Sequence, residues 1–179
     1  MPSPAKGVVR EFEVGDLPFA VALLAEEIRT GVANFHWEPV SVEELECDWR
    51  ACTTTRPWLS LTLDGCWAGF ASATAYKGRA AYRFTCEVGI YLEAHARGCG
   101  LGRVLYQALL ETLAERGFHR AIASIALPGE ASSALHAALG VQRIGVLREV
   151  GWKLGAWRDV AIWQRCLVPR ARAVTQTPS

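Results

Sequence analysis

Residues 82–116 read YRFTCEVGIYLEAHARGCGLGRVLYQALLETLAER, and they contain three patterns in direct succession. Tyr82 to Leu92 alternates apolar and other residues, which is typical of a strand with one face in the core. A glycine-rich loop at Arg97 to Gly102 follows. From Leu101 to Arg116 the apolar residues recur along one stripe, as in an amphipathic helix that Gly117 would end. We therefore expect a strand, a loop and a helix at the centre of the fold.

The flanking sequence alternates strands and helices. Before the central unit we expect a strand at 8–12 and a helix at 17–30, which Asp16 would cap and a left-handed Gly31 would end. We expect a second helix to begin at the capping box Ser41-x-x-Glu44. A hairpin should follow around Asp64-Gly65. After it we expect a strand at 120–127, a short helix at 132–139, and strands at 141–148 and 158–166. This order predicts one α/β (α+β) domain over residues 8–168, with a mixed, mostly antiparallel central sheet flanked by helices. Residues 1–7 and 169–179 are predicted to be disordered.

Composition restricts the function only weakly. The 179 residues carry a formal net charge of +1, which gives no indication of a nucleic-acid footprint or of attraction to an anionic membrane. No apolar run approaches the roughly 20 residues that span a bilayer, and the first ten residues lack a signal-peptide pattern. The six cysteines form no C-x-x-C pair, so we expect free thiols in the cytoplasm and no metal site.

The glycine-rich loop predicts an anion site. Its backbone N–H groups and the start of the following helix both favour a phosphate, and side chains at the glycines would hinder close approach. A connector that binds nothing is the alternative. A Rossmann dinucleotide-binding fingerprint would have its third glycine one residue after Gly102 and an acidic residue about 20 positions further on. A Walker phosphate-binding loop would contain Gly-Lys-Ser/Thr. Neither pattern is present.

Arg97-x-x-Gly100-x-Gly102 matches the Q/R-x-x-G-x-G/A motif of the GNAT superfamily of N-acetyltransferases. The chain most resembles the phosphinothricin and methionine sulfone acetyltransferases, over about residues 8–166. Further landmarks are Asn34-Phe35-x-x-Glu38-Pro39, Arg79-x-Ala81-Tyr82-x-Phe84-Thr85-x-Glu87 and Gly151-Trp152-Lys153-x-Gly155-x-Trp157-x-Asp159. The resemblance implies a GNAT-like acyl-CoA N-acyltransferase fold, acetyl-CoA as co-substrate and a small-molecule amine as acceptor.

The resemblance also implies roles for particular residues. The backbone of Ile90, Tyr91 and Leu92 would pair with the pantetheine arm, and Glu87 would act as general base. Arg79, Tyr82 and Phe35 would bind the acceptor, with Phe35 contributing to active sites that lie near the interface of a homodimer. The implied cofactor-binding residues around the pyrophosphate and the CoA arm are Arg97, Gly98, Cys99, Gly100, Leu101, Gly102, Arg103 and Gly129.

Two residues depart from the family pattern. Gly129 stands where an asparagine usually follows Leu-Pro, and Val141 stands where an aromatic residue often follows Leu-Gly. The tyrosine that usually protonates the thiolate has no obvious counterpart, which leaves His136 as a candidate for proton transfer. Gly129 would remove one polar contact to the CoA arm. Gly129 and Val141 would also alter the wall near the acceptor, so that the preferred acceptor side chain would differ from the family's.

Acetyl transfer to an amine needs a neutral nitrogen, a polarised carbonyl and a route for the proton. An α-amino group has a pKa of about 7.7–8, so a larger part of it is neutral at pH 7 than of a lysine amine with a pKa near 10.4. Glu87 could therefore be a weaker base for an α-amine than for a lysine. Each assignment has an alternative without function. Glu87 could be a solvated surface residue, His136 could only pack in the core, and Arg79 could be a charged residue of a turn. Cys99 could be a nucleophile, although direct attack is preferred because no ping-pong partner is evident.

Three hypotheses about function remain open. The first is transfer of acetyl from acetyl-CoA to a small amino-acid-like amine of the phosphinothricin or methionine sulfone type. The second is acetylation of proteins or peptides on the same fold. The third is a CoA-binding module without activity, which the glycine at position 129 and the missing tyrosine would suggest.

Overall fold

The computed structural model describes residues 7–52 and 54–168. Its seven strands are β1 (Gly7–Glu11), β2 (Trp58–Leu63), β3 (Cys66–Ala75), β4 (Thr85–Leu92), β5 (Arg120–Ala126), β6 (Gln142–Lys153) and β7 (Ala156–Cys166). The four α-helices are α1 (Leu17–Thr30), α2 (Val42–Cys52), α3 (Leu101–Glu115) and α4 (Glu130–Ala138). None of the described helices is long and apolar enough to cross a membrane.

All seven strands form one sheet in the order β1-β2-β3-β4-β5-β7-β6. Neighbouring strands are antiparallel except β4 and β5, which are parallel because α3 connects them as a crossover. The expected mixed, mostly antiparallel sheet with flanking helices is therefore confirmed.

The sheet buries a separate apolar cluster on each face. On one face, α3 inserts Leu105, Leu109 and Leu113 against residues such as Ala71 and Cys86 of β3 and β4. On the other face, α1 and α2 cover an aromatic group, in which the ring of Phe70 stacks on those of Trp58 and Tyr91 at centroid distances of 5.8 and 5.4 Å. Both faces of β4 are therefore held in fixed positions.

The parallel pairing of β4 and β5 is short. It comprises only Thr85–Arg120, Cys86–Ala121 and Glu87–Ile122, after which the two strands part. Beyond this point β4 continues along β3 as far as Leu92, and β5 continues along β7 as far as Ala126. Among the described residues, the backbone of 88–92 has no strand partner on its β5 side, so a cleft opens there.

The start of β4 differs from the prediction. The alternating pattern begins at Tyr82, but Ala80–Tyr82 forms a turn of 3-10 helix and the strand starts at Thr85. The N–H of Tyr82 donates to the Arg79 carbonyl at 2.9 Å, and the Tyr82 ring packs edge-on against Tyr76 at 5.6 Å. These local contacts stabilise a turn where alternation alone predicts an extended chain.

Asp16 does not cap α1 as predicted. Its buried carboxylate accepts two hydrogen bonds from the Arg10 guanidinium, both at 2.7 Å, and one from Ser60 Oγ at 2.7 Å. Burial alone would raise the pKa of Asp16, but these hydrogen bonds outweigh it and hold the pKa below its usual value. Asp16 therefore ties the start of α1 to β1 and β2.

Gly31 ends α1 in an extended conformation, with φ −104°, rather than the left-handed one predicted. A Cβ here would meet the Glu27 carboxylate, which accepts a hydrogen bond from the Ala33 N–H and would have to shift. Gly7 was assigned to the disordered start, yet it is the first residue of β1 and pairs with Leu63. The rest of the predicted disordered termini, 1–6 and 169–179, lies outside the described residues.

Several local predictions are confirmed. The Ser41 and Glu44 side chains exchange hydrogen bonds with each other's backbone N–H at 3.1 and 2.8 Å, which is the expected capping box. The β2–β3 hairpin turns at Asp64-Gly65. The two last strands are longer than predicted, because β6 continues through a bulge instead of ending at residue 148.

Candidate active site

The opening between β4 and β5 forms a cleft of about 750 Å³. Residues 88–92 and 123–126 form its two long walls, and the loop before α3 closes one end. The start of α4 and the side chains of Leu135 and His136 complete the wall. Because 88–92 has an unpaired backbone edge on this side, an extended ligand with amide groups can pair with it as an additional strand would.

The loop end of the cleft suits an anion. Gly98 and Gly100 have φ of +76° and +78°, a left-handed region that favours glycine, and Gly100 is the N-cap of α3. No described side chain caps this helix end, so its first N–H groups remain available to a ligand. A side chain at Gly102 would crowd the Leu92 methyl at 3.1 Å. The loop therefore presents N–H donors and the positive end of the helix dipole.

Two arginines extend this positive end. The Nε of Arg97 donates to the Leu92 carbonyl at 2.9 Å, which closes the loop onto the end of β4. Arg97 and Arg103 both line the cleft. In contrast, the Leu101 side chain is buried in the core beside α3, and Cys99 is exposed with its Sγ 3.6 Å from the Arg97 carbonyl. Neither of these last two residues lines the cleft.

Gly129 lies in the cleft wall at the N-cap of α4. A Cβ here would approach the Ala126 carbonyl oxygen to 2.7 Å and Cγ2 of Ile125 to 2.8 Å. The asparagine usual in related sequences therefore does not fit this backbone. Val141, the other departure, is buried in the core on the α3 side.

Glu87 lies at the vertex where β4 and β5 part, in a second cavity of about 430 Å³ that we call the Glu87 pocket. Its walls include Val88, Gly89 and Ser124, which also line the cleft, so the two spaces are continuous. Ser124 Oγ donates to Oε1 of Glu87 at 2.9 Å. A carboxylate is thus fixed where the cleft enters the pocket.

Sequence reasoning missed three hydroxyl groups in this pocket. Ser72 and Thr74 of β3 stand opposite Gly89 and Glu87 in the register, and Ser124 lies on β5. The period-two alternation of Ser72 and Thr74 within an otherwise apolar strand is a signal that could have found them. The single polar Ser124 in the apolar run of β5 is another.

The loop after α1 forms the opposite wall of the Glu87 pocket, through residues 33–36. Phe35, predicted to contribute to the acceptor site, is part of it. Asn34 hydrogen bonds with the hydroxyl of Tyr91, whose side chain shares the face of β4 with Glu87. Burial raises the pKa of Tyr91 above its usual value, although the bond to Asn34 opposes this, so the phenol is neutral near pH 7.

Arg79 and Tyr82, the other predicted acceptor residues, lie outside both cavities. A turn of 3-10 helix at Ala80–Tyr82 precedes β4, so Arg79 and Tyr82 are not part of the strand on which Glu87 lies. Tyr82 is half-buried against Tyr76, with Lys77 Nζ 5.6 Å from its ring centroid, and Arg79 is exposed.

His136 lines the cleft but is nearly enclosed, at 3% exposure. Its Nδ1 lies 2.7 Å from the Ser132 carbonyl, which only accepts, so Nδ1 must carry the proton. The ring packs against Tyr106 and Trp163 at centroid distances of 4.8 and 5.8 Å. Burial lowers the pKa of His136, and the bond to Ser132 offsets this only in part. The ring is therefore neutral near pH 7 with Nε2 as an acceptor, which disfavours the predicted role as a proton donor.

The site is one continuous space with three parts. They are the loop before α3, which suits an anion, the unpaired edge of β4 at 88–92, and the Glu87 carboxylate. Within residues 7–52 and 54–168, no group of three His, Cys, Asp or Glu side chains could hold a metal ion. The space suits a long phosphorylated ligand whose far end reaches Glu87.

The sequence profile of the acetyltransferase (GNAT) family matches residues 22–141, which include β4, the loop, α3 and β5. The chain belongs to the GNAT family. It is accordingly an acetyl-CoA-dependent N-acetyltransferase. The loop before α3 and the cleft between β4 and β5 agree with this activity.

Named relatives of this GNAT enzyme extend over most of its length. It is 36% identical over 157 residues to a phosphinothricin N-acetyltransferase of Streptomyces viridochromogenes, covering 88% of this chain and 86% of that one. It is 30% identical to an L-methionine sulfoximine/L-methionine sulfone acetyltransferase of Pseudomonas aeruginosa, covering 92% and 97%. A GNAT phosphinothricin acetyltransferase of Sinorhizobium meliloti, solved in complex with acetyl-CoA, superposes with a TM-score of 0.89 at 32% identity, covering 98% and 94%.

The lowered pKa of His136 predicts how the stability of this GNAT enzyme depends on pH. As the pH falls below about 6.5, the unfolded chain takes up a proton that the folded chain resists, so the free energy of unfolding should decrease between about pH 7.5 and pH 5.5. His136→Gln should reduce this decrease, and urea unfolding at both pH values measures it. The exposed His95, replaced in the same way, should leave the wild-type slope. Equal slopes for all three proteins would show that His136 titrates normally.

Proposed function

We propose that the enzyme transfers the acetyl group of acetyl-CoA to the amine of a small amino-acid-like molecule, of the phosphinothricin or methionine sulfone/sulfoximine type. The observation that carries this proposal is the position of Glu87 at the junction of the long cleft and the small Glu87 pocket. A thioester delivered along the cleft would meet an amine held in the pocket at that carboxylate. The names of the relatives from Streptomyces and Pseudomonas support the acceptor class.

The loop and β4 would hold acetyl-CoA. The backbone N–H groups of 98–102 and the side chains of Arg97 and Arg103 fit the pyrophosphate, because they combine the helix dipole with two cations. The unpaired backbone edge of Ile90 to Leu92 fits the amides of the pantetheine arm. Gly129 lines the cleft beside that arm, and a Cβ there would collide with the Ala126 carbonyl and the Ile125 side chain.

Glu87 would act as general base in a direct attack. The amine nitrogen forms a bond to the thioester carbonyl carbon, the C–S bond breaks, and the proton lost by nitrogen passes to the Glu87 carboxylate. Ser124 holds this carboxylate by its hydrogen bond, so the base does not have to be ordered when substrate binds. An α-amine is partly neutral near pH 7, so it needs less help from a general base than a lysine amine would.

The Glu87 pocket has the features of a site for a small polar acceptor. The hydroxyls of Ser72, Thr74 and Ser124 offer hydrogen bonds, and Phe35 offers an apolar wall. Arg79 is our candidate for the acceptor carboxylate, because its guanidinium has no hydrogen bond or ion pair among the described residues. Arg79 and Tyr82 would have to move toward the pocket when an acceptor binds.

We further propose that the enzyme is a cytoplasmic homodimer. The edge strand β6 and the turn to β7 carry exposed apolar side chains, including Trp152 and Trp157, whose exposed fractions are 45% and 57%. Trp37, which follows the 33–36 wall of the Glu87 pocket in sequence, is exposed as well. A second copy packed over this surface would bury it and bring the dimer interface close to Phe35. All six cysteines are free, as expected in a reducing compartment. Sedimentation velocity at micromolar concentration tests the dimer, and a monomer would contradict it.

Gly100→Ala should weaken acetyl-CoA binding at least about tenfold, because a left-handed alanine costs about 1–2 kcal/mol and would draw the loop N–H groups away from the pyrophosphate. Gly117 has a similar φ of +82° with open space around it, at the other end of α3. Gly117→Ala is therefore a control with the same strain but no effect on binding. Calorimetric titration decides, and equal dissociation constants for the two variants would refute the proposed pyrophosphate site.

Glu87→Gln should lower kcat by about 10²–10⁴ near neutral pH, the usual contribution of a positioned base, and leave the acetyl-CoA dissociation constant unchanged. Ser124→Ala should lower kcat less, by about tenfold, since the base remains but loses its hydrogen bond. Glu115→Gln on the exposed side of α3 is the matched control. Cys99→Ala should keep most of the activity. A trapped acetyl-enzyme would overturn direct attack.

The acceptor class is tested by thiol release from acetyl-CoA with a panel of acceptors. Free amino acids, sulfones, sulfoximines and phosphinates should react, whereas decarboxylated analogues and short peptides should be poor. Arg79→Ala should raise KM about ten- to a hundredfold for the carboxylate acceptors and leave decarboxylated ones unaffected, because a charge-assisted pair is lost. Reaction with peptides alone would make the enzyme a protein acetyltransferase, and reaction with nothing would favour a CoA-binding module.

A further inference from the structure

The loop that walls the Glu87 pocket is anchored by three different elements. The N–H of Ala33 donates to Oε1 of Glu27 on α1 at 3.2 Å, and the side chain of Asn34 bonds to the Tyr91 hydroxyl on β4. The third anchor comes from β6, at the far edge of the sheet. There Lys153 Nζ donates to the backbone carbonyl of His36. The position of residues 33–36 is therefore set from outside the loop.

Lys153 is unusual for a lysine. It is only 5% exposed, and no carboxylate lies within ion-pair distance of it among the described residues. Burying an ammonium group costs several kcal/mol unless polar groups surround it. The His36 carbonyl is the acceptor it contacts, so its burial is explained by the loop it holds and not by a salt bridge.

Gly151, two residues before Lys153, makes a second contact with the same loop. A Cβ at this position would overlap the Phe35 ring, so only glycine lets that ring lie against β6. Both residues follow a bulge in β6, between Leu147 and Gly151, where the register against β7 shifts. Asp159 of β7 fixes the bulge by accepting from Arg148 at 2.6 Å and from the N–H of Glu149 at 2.8 Å.

We propose that Lys153 and Gly151 are positioning residues that set which acceptor the enzyme accepts, by fixing the Phe35–His36 wall of the Glu87 pocket. Neither residue lines the pocket itself. Both act through residues that do. The proposal rests on the proposed function only in taking the Glu87 pocket as the acceptor site.

Lys153→Met keeps the length and apolar stem of the side chain but removes the hydrogen bond to His36. We expect KM for the acceptor to rise about ten- to a hundredfold, with kcat and KM for acetyl-CoA changed less than about threefold. Lys153→Arg keeps a donor and should restore part of the acceptor affinity. Arg143→Met, an exposed cation on the same strand, should behave as wild type. A purely structural lysine would instead lower the unfolding temperature and all kinetic parameters together.

Gly151 provides a test that does not depend on the lysine. Gly151→Ala should push Phe35 into the pocket and change the relative kcat/KM for acceptors with small and large side chains. Phe35→Ala removes the ring with which the new methyl collides, so the double variant should not show the sum of the two single effects. Additive effects on acceptor preference would show that the two residues do not act through one another, and would overturn the proposal.

One measurement needs no acceptor at all. Amide hydrogen exchange over residues 31–39 should be about tenfold faster in Lys153→Met than in wild type or Arg143→Met, because the loop loses an anchor. If the wild type acetylates no small amine but this exchange rises, the proposed function fails and the anchoring stands. If the wild type is active and neither exchange nor acceptor KM changes in Lys153→Met, the anchoring fails and the proposed function stands.

Discussion

The parting of β4 from β5 after three residue pairs is the constraint on which the rest of the site depends. Each strand remains bonded to its own antiparallel neighbour while the two diverge past Glu87 and Ile122. The backbone edge left unpaired on β4 would be unfavourable in a closed core, but it lies in an open cleft. The same divergence leaves room for the N-terminus of α3 at the mouth and places Glu87 at the vertex.

A second constraint closes the acceptor end. The sheet alone would leave the Glu87 pocket open above Ser72 and Thr74, and the loop after α1 covers it. This loop contains no regular secondary structure, so its position depends on contacts with α1, β4 and β6. The last hairpin, distant in sequence, thus contacts the loop that walls the Glu87 pocket without lining the pocket itself. In the proposed arrangement, variation in β6 would alter the acceptor site and leave the acetyl-CoA cleft unchanged, because no β6 residue lines that cleft.

The parts of the fold that sequence predicts well are those determined locally. The capping box at Ser41, the Asp64-Gly65 turn and the loop before α3 each depend on residues within a few positions, so their patterns can be read directly. The family motif added Glu87, but spacing alone does not distinguish a site carboxylate from a solvated one.

The parts that sequence missed depend on pairing between distant segments. Asp16 is a residue type that often caps helices, but its carboxylate instead accepts a hydrogen bond from Ser60, 44 residues away in sequence. Ser124 meets Glu87, and Lys153 meets His36, only because β4, β5 and β6 take particular positions in one sheet. No periodicity within a single segment contains that information. The turn at Tyr82 was missed for the opposite reason, since a local ring contact overrides a pattern that looks extended.

The distribution of charge along the site bears on how the proton moves. Arg97, Arg103 and the start of α3 supply positive charge at the loop end, whereas Glu87 lies at the other end of β4. The arginines of the loop end therefore line a different part of the site from the Glu87 carboxylate. His136, neutral and with its N–H committed to Ser132, offers the cleft an acceptor and not an acid. In the proposed mechanism, the departing thiolate would therefore be protonated from solvent or by the proton released from the amine, and Glu87 would be the side chain that takes up this proton during transfer.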